Sequence, residues 1–572
     1  MKLRSLLPYI FIFFFLPGCR KEDKEIIIEP PEESINLSDL ETKHDYYLPF
    51  AIENNINDVI SADLNNVTFG FTIGKFLEFE ENGFYELVLK YNDANKINDT
   101  ILFTTTTEER EDSEWGIRAW IPVPFQPFGL GSENIEVFYP HTYTDSINIP
   151  FIFYIRESGK IKSIYCQGNS LAMGETFNIK QGVGSVNINT SLISTSANFS
   201  IGGRYLSIPV EKNNGSLIEL NGTISSGIEI AANSLVRISG NLNIASTGSL
   251  TVREGALIMV DEAVDINVSG PVIFTGTASN PVLVTCSRKN KFWGGFITKV
   301  SGGTIEAHYT IFSQSGYHDS AGYNWGHAGR QALFYTENST LELDHCFMPD
   351  HVGQIFFPVH ATLILNDILV QRAKTGGQIN NSGLTLRNSF FSDFPDDSYV
   401  FQDNDNDALY LNASDAVIDN TCFMFAKDDG LDSGGSEGGV ITVTDCRFEA
   451  CFHEGAALSS IDPAVKTHTF TGCVFTNCGQ GLELGYSSPD HSVSVEDCLF
   501  ISNGIGIRYG DNYDWSEVNG KIAVKNSLSI YNDRDIWNMI RMIWSPKLTN
   551  MTFENTVVSK YCPQYPDLEV IK

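Results

Sequence analysis

Hydrophobic and polar positions divide the chain into three textures. Residues 6–16 (LLPYIFIFFFL) form an unbroken apolar run behind Lys2 and Arg4. A run this short with a basic start predicts a secretion signal and not a membrane-spanning helix. Between about 36 and 160, apolar and polar positions alternate over stretches such as 67–73 (VTFGFTI), 84–89 (FYELVL) and 117–121 (IRAWI). Alternation broken by Asn, Asp, Gly and Pro predicts an antiparallel β-sandwich of immunoglobulin-like type over 36–160. Trp115 and Trp120 read there as strand or core aromatics before sugar platforms. The expected role of this region is a spacer or accessory binding module.

From about 165 helical periodicity is absent, and short β-type runs recur with Gly or Asn between them. In 238–257 the chain takes one strand, turns at glycine and takes another, without hairpin turn chemistry. The stretches 443–451 (VTDCRFEAC), 470–478 (FTGCVFTNC), 495–503 (VEDCLFISN) and 524–532 (VKNSLSIYN) share one template, as do 386–391 (LRNSFF) and 417–423 (VIDNTCF). A β-type repeat of about 25 residues without helices predicts a parallel β-helix over 165–572. Roughly a dozen coils at ~4.8 Å each would give a rod of about 60 Å.

The repeat places Cys446, Cys473 and Cys498 at one inward position and Cys451 and Cys478 at another. A buried ladder of small apolar side chains explains them better than zinc, which would want CxxC-type pairs or His partners. Cross-coil disulfides stay open, because stacked coils bring Cα atoms within bonding range.

Charge narrows the partners. The 572 residues carry 38 Lys and Arg against 70 Asp and Glu, a formal charge of −32. Nucleic-acid binding is not expected, since phosphate contacts need clustered cations. Aligning coils on Gly430, Gly455, Gly481 and Gly506 concentrates the acidity. Asp428 falls level with His453 and Gln480, Asp429 near Glu454, and Asp432 on the row of Ala457, Glu483 and Arg508. Asp396 and Asp397 are expected on the row of Asp428 and Asp429. The loop with Asp403, Asp405 and Asp407 lies between those coils, and Lys427, His453 and Arg508 sit among the acids. Tyr486, Tyr509, Tyr513 and Trp515 could stack on sugar rings. Two bland readings stand beside this one: solenoid turns favour Asp, Asn and Gly for conformation alone, and an Asp row can be a structural calcium site. A second group, His318, Asp319, Tyr323, Trp325, His327 and Arg330, reads as another groove or as a packed aromatic loop. No HxH or HExxH spacing supports a metal there.

Leu16-Pro17-Gly18-Cys19 resembles a bacterial lipobox. That resemblance implies a signal peptide over 1–18, lipidation of Cys19, and a tether over 19–35 containing Pro30-Pro31. The charged residues 20–25 (RKEDKE) resemble the export signal of surface lipoproteins in Bacteroidetes, or a solvated spacer. An outer-membrane anchor follows, with the protein facing the cell surface or, alternatively, the periplasm.

Repeats and lipobox together resemble the right-handed parallel β-helix lipoproteins of Bacteroidetes, which share the pectate-lyase-like fold. The fold hosts lyases, hydrolases, epimerases and adhesins, so it cannot choose among them. A polysaccharide lyase is the first expectation: Lys427 or Arg508 abstracts the proton beside a uronate carboxylate, and calcium on Asp403, Asp405, Asp407 and Asp432 neutralises that carboxylate. Asp428, Asp429, His453 and Glu454 complete the catalytic set, with Tyr486, Tyr509, Tyr513, Trp515 and Glu483 binding substrate. The order Asn406-Asp407, Asp428-Asp429, His453, Arg508 is also similar to that of polygalacturonases, which implies an inverting hydrolase. It departs in motif spacing, in Glu454 before Gly455, and in the lysine missing beside Arg508. A third expectation is a non-catalytic glycan-binding or adhesin-like protein. In each case a monomer with polysaccharide as partner is expected.

Overall fold

Short strands, mostly of three to seven residues, that end in a turn residue cannot pair with themselves, and this chain satisfies them by stacking coil on coil. The computed structural model describes residues 130–317, 331–394, 406–434, 439–460, 467–486, 492–510, 519–538 and 550–558, apart from single positions within them. Strands inside 36–105 and Glu569–Val570 complete the described residues. From Leu217–Ile224 to Glu569–Val570, 37 described strands form one continuous ladder. The pairings along it are parallel, such as Val443 with Phe470 and Phe470 with Val495.

Three inward and corner rows show why the repeat has its sequence. Phe423, Phe448, Phe475 and Phe500 stack along the axis, with centroids 5.3, 4.7 and 4.7 Å apart and near-parallel rings. Cys446, Cys473 and Cys498 occupy one buried row, as the repeat predicts. There each side chain faces the preceding coil's backbone: Cys473 N–H donates to Cys498 Sγ at 3.4 Å, and Cys498 N–H to Ser527 Oγ at 3.1 Å. The nine described cysteines are free thiols. At the corner, Asn388, Asn420, Asp445, Gly472, Asp497, Asn526 and Asn555 all hold positive φ between 46° and 69°. Asn, Asp and Gly tolerate that left-handed conformation best.

The solenoid begins later than the sequence texture suggests. Strands between Asn134 and Pro209 pair antiparallel in two four-stranded sheets, packed through Phe151, Phe153, Phe177 and Phe199. The expected boundary at 165 therefore falls inside an antiparallel unit. Its signal is the hairpin Ser196–Ile201 to Arg204–Pro209, whose two-residue loop is Gly202-Gly203 with φ of 53° and 82°. Glycine supplies the two positive φ angles that such a tight turn needs. Four further strands, between Val59 and Thr105, pair antiparallel in a sheet of their own; most of the region expected as a sandwich over 36–160 lies outside the described residues.

The unit of 130–213 lies against the flank of the coils. An apolar row of Leu257, Leu283, Ile311, Phe347, Leu369, Phe390 and Cys422 shares a core with it. Polar bonds fix the register: Tyr165 and Gln181 donate to the two oxygens of Glu449 at 2.6 Å each, and Lys180 pairs with Asp393. This unit, whose residues 130–160 fall in the region read as a spacer and whose later residues were expected as solenoid, is thus a buttress for the coils that carry the acidic cluster. Among the described residues no helix is long and apolar enough to cross a membrane.

Candidate functional site

Successive coils turn outward just after the strands Phe390–Phe394, Cys422–Ala426 and Arg447–Glu449, and the acidic residues meet there. The register joins Tyr410, Asp432, Ala457, Glu483, Arg508 and Trp537 into one outward row. Its Asp432-to-Arg508 portion is the row expected from the glycine alignment. Two refinements follow from the same pairing. Gln480 is level with Glu454 and not with His453. Asn406 and Asp407, three and two residues before Leu409, come against Asp428 and Asp429, because Leu409 pairs with Leu431. Asp396 and Asp397 lie outside the described residues.

The glycine column is what lets these turns approach. A Cβ on Gly430, Gly455 or Gly481 would sit 2.5–2.7 Å from the carbonyl oxygen of the next glycine. Beside this column Asp407, Asp429 and Glu454 succeed one another coil by coil. Asp429 N–H donates to Asp407 Oδ1 at 3.3 Å, and Glu454 N–H to Asp429 Oδ1 at 2.8 Å. His453 Nδ1 lies 2.5 Å from Glu454 Oε2, 3.4 Å from Asp428 Oδ1 and 3.6 Å from Asp429 Oδ1. Arg508 Nη1 donates to Glu483 Oε2 at 2.8 Å and Gln480 Oε1 at 3.1 Å, and lies 3.9 Å from Glu454. The Nε and Nη2 of Arg508 have no hydrogen-bond partner.

Burial governs the electrostatics. Asp407, Lys427, Asp428, Asp429, His453, Glu454, Glu483 and Arg508 are all buried. Carboxylates outnumber cationic groups, and like charges this close resist joint ionisation. Burial, then Glu454 and Asp428, pushes the Asp429 carboxyl well above the usual carboxylate range. Burial and Glu483 do the same to Glu454. At His453 burial works downward, but Asp428, Asp429 and Glu483 outweigh it and raise the imidazole. Burial, helped by Lys374, lowers the Lys427 ammonium.

The donor set suits a hard cation. Single oxygens of Asp407, Asp429 and Asp432 lie within 4.8 Å of one another. An oxygen-only set with surplus buried negative charge is what calcium or a similar ion requires. Asp407 and Asp432 were expected as ligands; Asp429, expected as catalytic, joins them. Asp403 and Asp405 lie outside the described residues, as do Tyr513, Trp515 and the group from His318 to Arg330. Tyr486 ends the strand Gln480–Tyr486, and its side chain is likewise outside.

Two expectations need correction. Tyr509 is no sugar platform: Ile507 and Tyr509 point into the core on either side of outward Arg508, and the Tyr509 hydroxyl donates to Gly520 O at 2.9 Å. Strand alternation forces this, since neighbours of an outward residue face inward. Arg508 is no base either, because it is fully buried and bound to Glu483 and Gln480. Tyr410 and Trp537 are aromatic residues of this row that sequence reasoning missed; the Arg534 guanidinium lies 3.8 Å above the ring of Trp537. Counting one more coil past Arg508 would have reached it.

Residues 331–493 match the family described as right handed beta helix region, and the matched span includes this site apart from Arg508. The solenoid is a right-handed parallel β-helix. No curated protein matches the chain.

Proposed function

We propose that the protein is an exported, lipid-anchored polysaccharide lyase that cleaves a uronate-containing glycan at the cluster around Asp429. The supporting observation is the conjunction of Lys427, with its lowered pKa, and the oxygen triad of Asp407, Asp429 and Asp432 on adjoining coils. A divalent cation on that triad, with calcium the first choice, would neutralise the uronate carboxylate and so acidify the neighbouring C–H. Lys427 Nζ takes that proton, the glycosidic C–O bond breaks as the C=C bond forms, and His453 returns a proton to the leaving oxygen. Arg508 acts as a positioning residue in this reading: fully buried, it holds Glu483 and Gln480 in place beside the cluster.

A hydrolytic reading draws on Asp429, whose carboxyl is pushed well above the usual range by burial, Glu454 and Asp428. Against inversion, the triad's oxygens lie within 4.8 Å, closer than the ~6.5–9.5 Å that leaves room for the attacking water. The remaining parts of the proposal are the anchor at Cys19, the outer membrane as its location, and a monomer that binds no nucleic acid.

The test is a screen of uronate polysaccharides with calcium or with chelator, following unsaturated product by its ultraviolet absorption. The lyase reading predicts calcium-dependent product that Lys427→Ala abolishes. Reducing ends without unsaturation would replace it with hydrolysis, and binding without any product would leave a glycan-binding protein.

A further inference from the structure

We propose that Asp428, Asp429 and His453 form a second cation site, for a borderline divalent transition metal such as Zn²⁺ or Mn²⁺, with Asp429 bridging it to the oxygen-only site. The proposal rests on the cluster being a cation centre, as in the reading above, but not on any reaction.

One ligand atom from each of the three residues lies within 4.8 Å of the others, and all three residues are buried. His453 Nδ1 stands 3.4 and 3.6 Å from the Oδ1 atoms of Asp428 and Asp429. Asp428 acts as a hydrogen-bond partner of the imidazole, and both separations are long for an N–H···O hydrogen bond. They are close to the edge of a zinc tetrahedron, since donors at ~2.0–2.1 Å from the ion lie about 3.3–3.4 Å apart. Glu454 Oε2 supplies a further observation. It is buried, accepts no hydrogen bond, and approaches His453 Nδ1 to 2.5 Å. At that distance it is too near the nitrogen to be a fellow ligand; it is a buried acceptor aimed into the cluster whose charge an ion there would balance.

The two sites differ in chemistry. Asp407, Asp429 and Asp432 offer oxygen alone, which suits a hard ion. An imidazole with two carboxylates suits zinc or manganese. The residue common to the two sets is Asp429, and one bridging carboxylate spans the ~3.5–4 Å typical of paired ions.

The test titrates the chelator-stripped, exported chain with Zn²⁺, Mn²⁺ and Ca²⁺ by calorimetry, and records the visible spectrum of the Co²⁺ form. The expected result is one Zn²⁺ or Mn²⁺ in addition to one Ca²⁺, and a tetrahedral Co²⁺ band. His453→Gln should weaken Zn²⁺ at least about tenfold, abolish the band and leave Ca²⁺ affinity within about threefold. Asp432→Asn should do the reverse. The wild-type Co²⁺ spectrum stands without any variant, and Asp428→Asn serves if His453→Gln does not fold. Zn²⁺ affinity unchanged by both His453→Gln and Asp428→Asn, or Ca²⁺ binding without any transition metal, sinks the second site and spares the first. Failure of every ion to bind overturns both.

Discussion

Asp429 and Glu454 sit one coil apart, and the backbone N–H of Glu454 donates to Asp429 Oδ1 at 2.8 Å. That bond holds two carboxyl groups side by side in a buried place, where burial and Glu454 raise the proton affinity of Asp429, and burial and Glu483 raise that of Glu454. Neither could be ionised there cheaply without a nearby cation.

A cation should therefore stabilise the fold. At a free calcium concentration 100-fold above its dissociation constant, binding contributes about 2.7 kcal/mol. Thermal melts with calcium and with chelator should differ accordingly, and Asp432→Asn should remove most of the difference. Equal melting temperatures for the wild-type chain in the two buffers would count against the oxygen triad.

The cysteine row makes a distinction between polarity and volume. Cys498 Sγ accepts the N–H of Cys473 within a buried row that Ser527 continues. Cys498→Ser keeps an acceptor and should be nearly neutral. Cys498→Val fills the space but strands that N–H, at a cost of about 1–3 kcal/mol. Denaturant titration of the two variants checks the order. The same burial raises the thiol of Cys446 far above its ordinary pKa and that of Cys346 to about 12. Native protein should resist alkylation until it unfolds.

Gly455 tests the closeness of the coils. A methyl there meets Gly481 O at 2.7 Å and Phe475 Cδ1 at 2.9 Å. Neither backbone nor stacked ring can yield easily, so Gly455→Ala should destabilise by about 1–3 kcal/mol. Because Glu454 is its neighbour, calcium affinity should fall as well, measured by calorimetry.

The seam between the antiparallel unit and the coils carries a buried Lys180–Asp393 pair. Burial alone would raise the Asp393 carboxyl, but Lys180 outweighs it and holds the value below the ordinary one. A depressed folded-state pKa means that the contribution is present above about pH 4 and is lost as pH falls through the folded value. Lys180→Met should destabilise by about 3–5 kcal/mol at pH 7 by leaving Asp393 alone, and adding Asp393→Asn should recover most of it. Chemical denaturation across pH 3–7 follows both effects; an additive double mutant would mean that the pair is not coupled.

Much of this architecture was legible in the chain itself. Phe448, Phe475 and Phe500 recur at the coil period, as do Cys446, Cys473 and Cys498, because a solenoid repeats the same inward and corner demands on every turn. The row from Asp432 to Arg508 followed from glycine spacing alone. What the sequence could not decide was depth and direction. Counting along a repeat does not say that the acidic row is buried, nor that Tyr509 faces inward beside Arg508. Nor does it say that Gly202-Gly203 closes a hairpin ahead of the first coil. Those depend on which strands pair, and pairing is set by contacts between residues far apart in sequence: Tyr165 with Glu449, Lys180 with Asp393. Composition placed the negative charge in the chain; only the stacking of coils gathered part of it into a buried cluster.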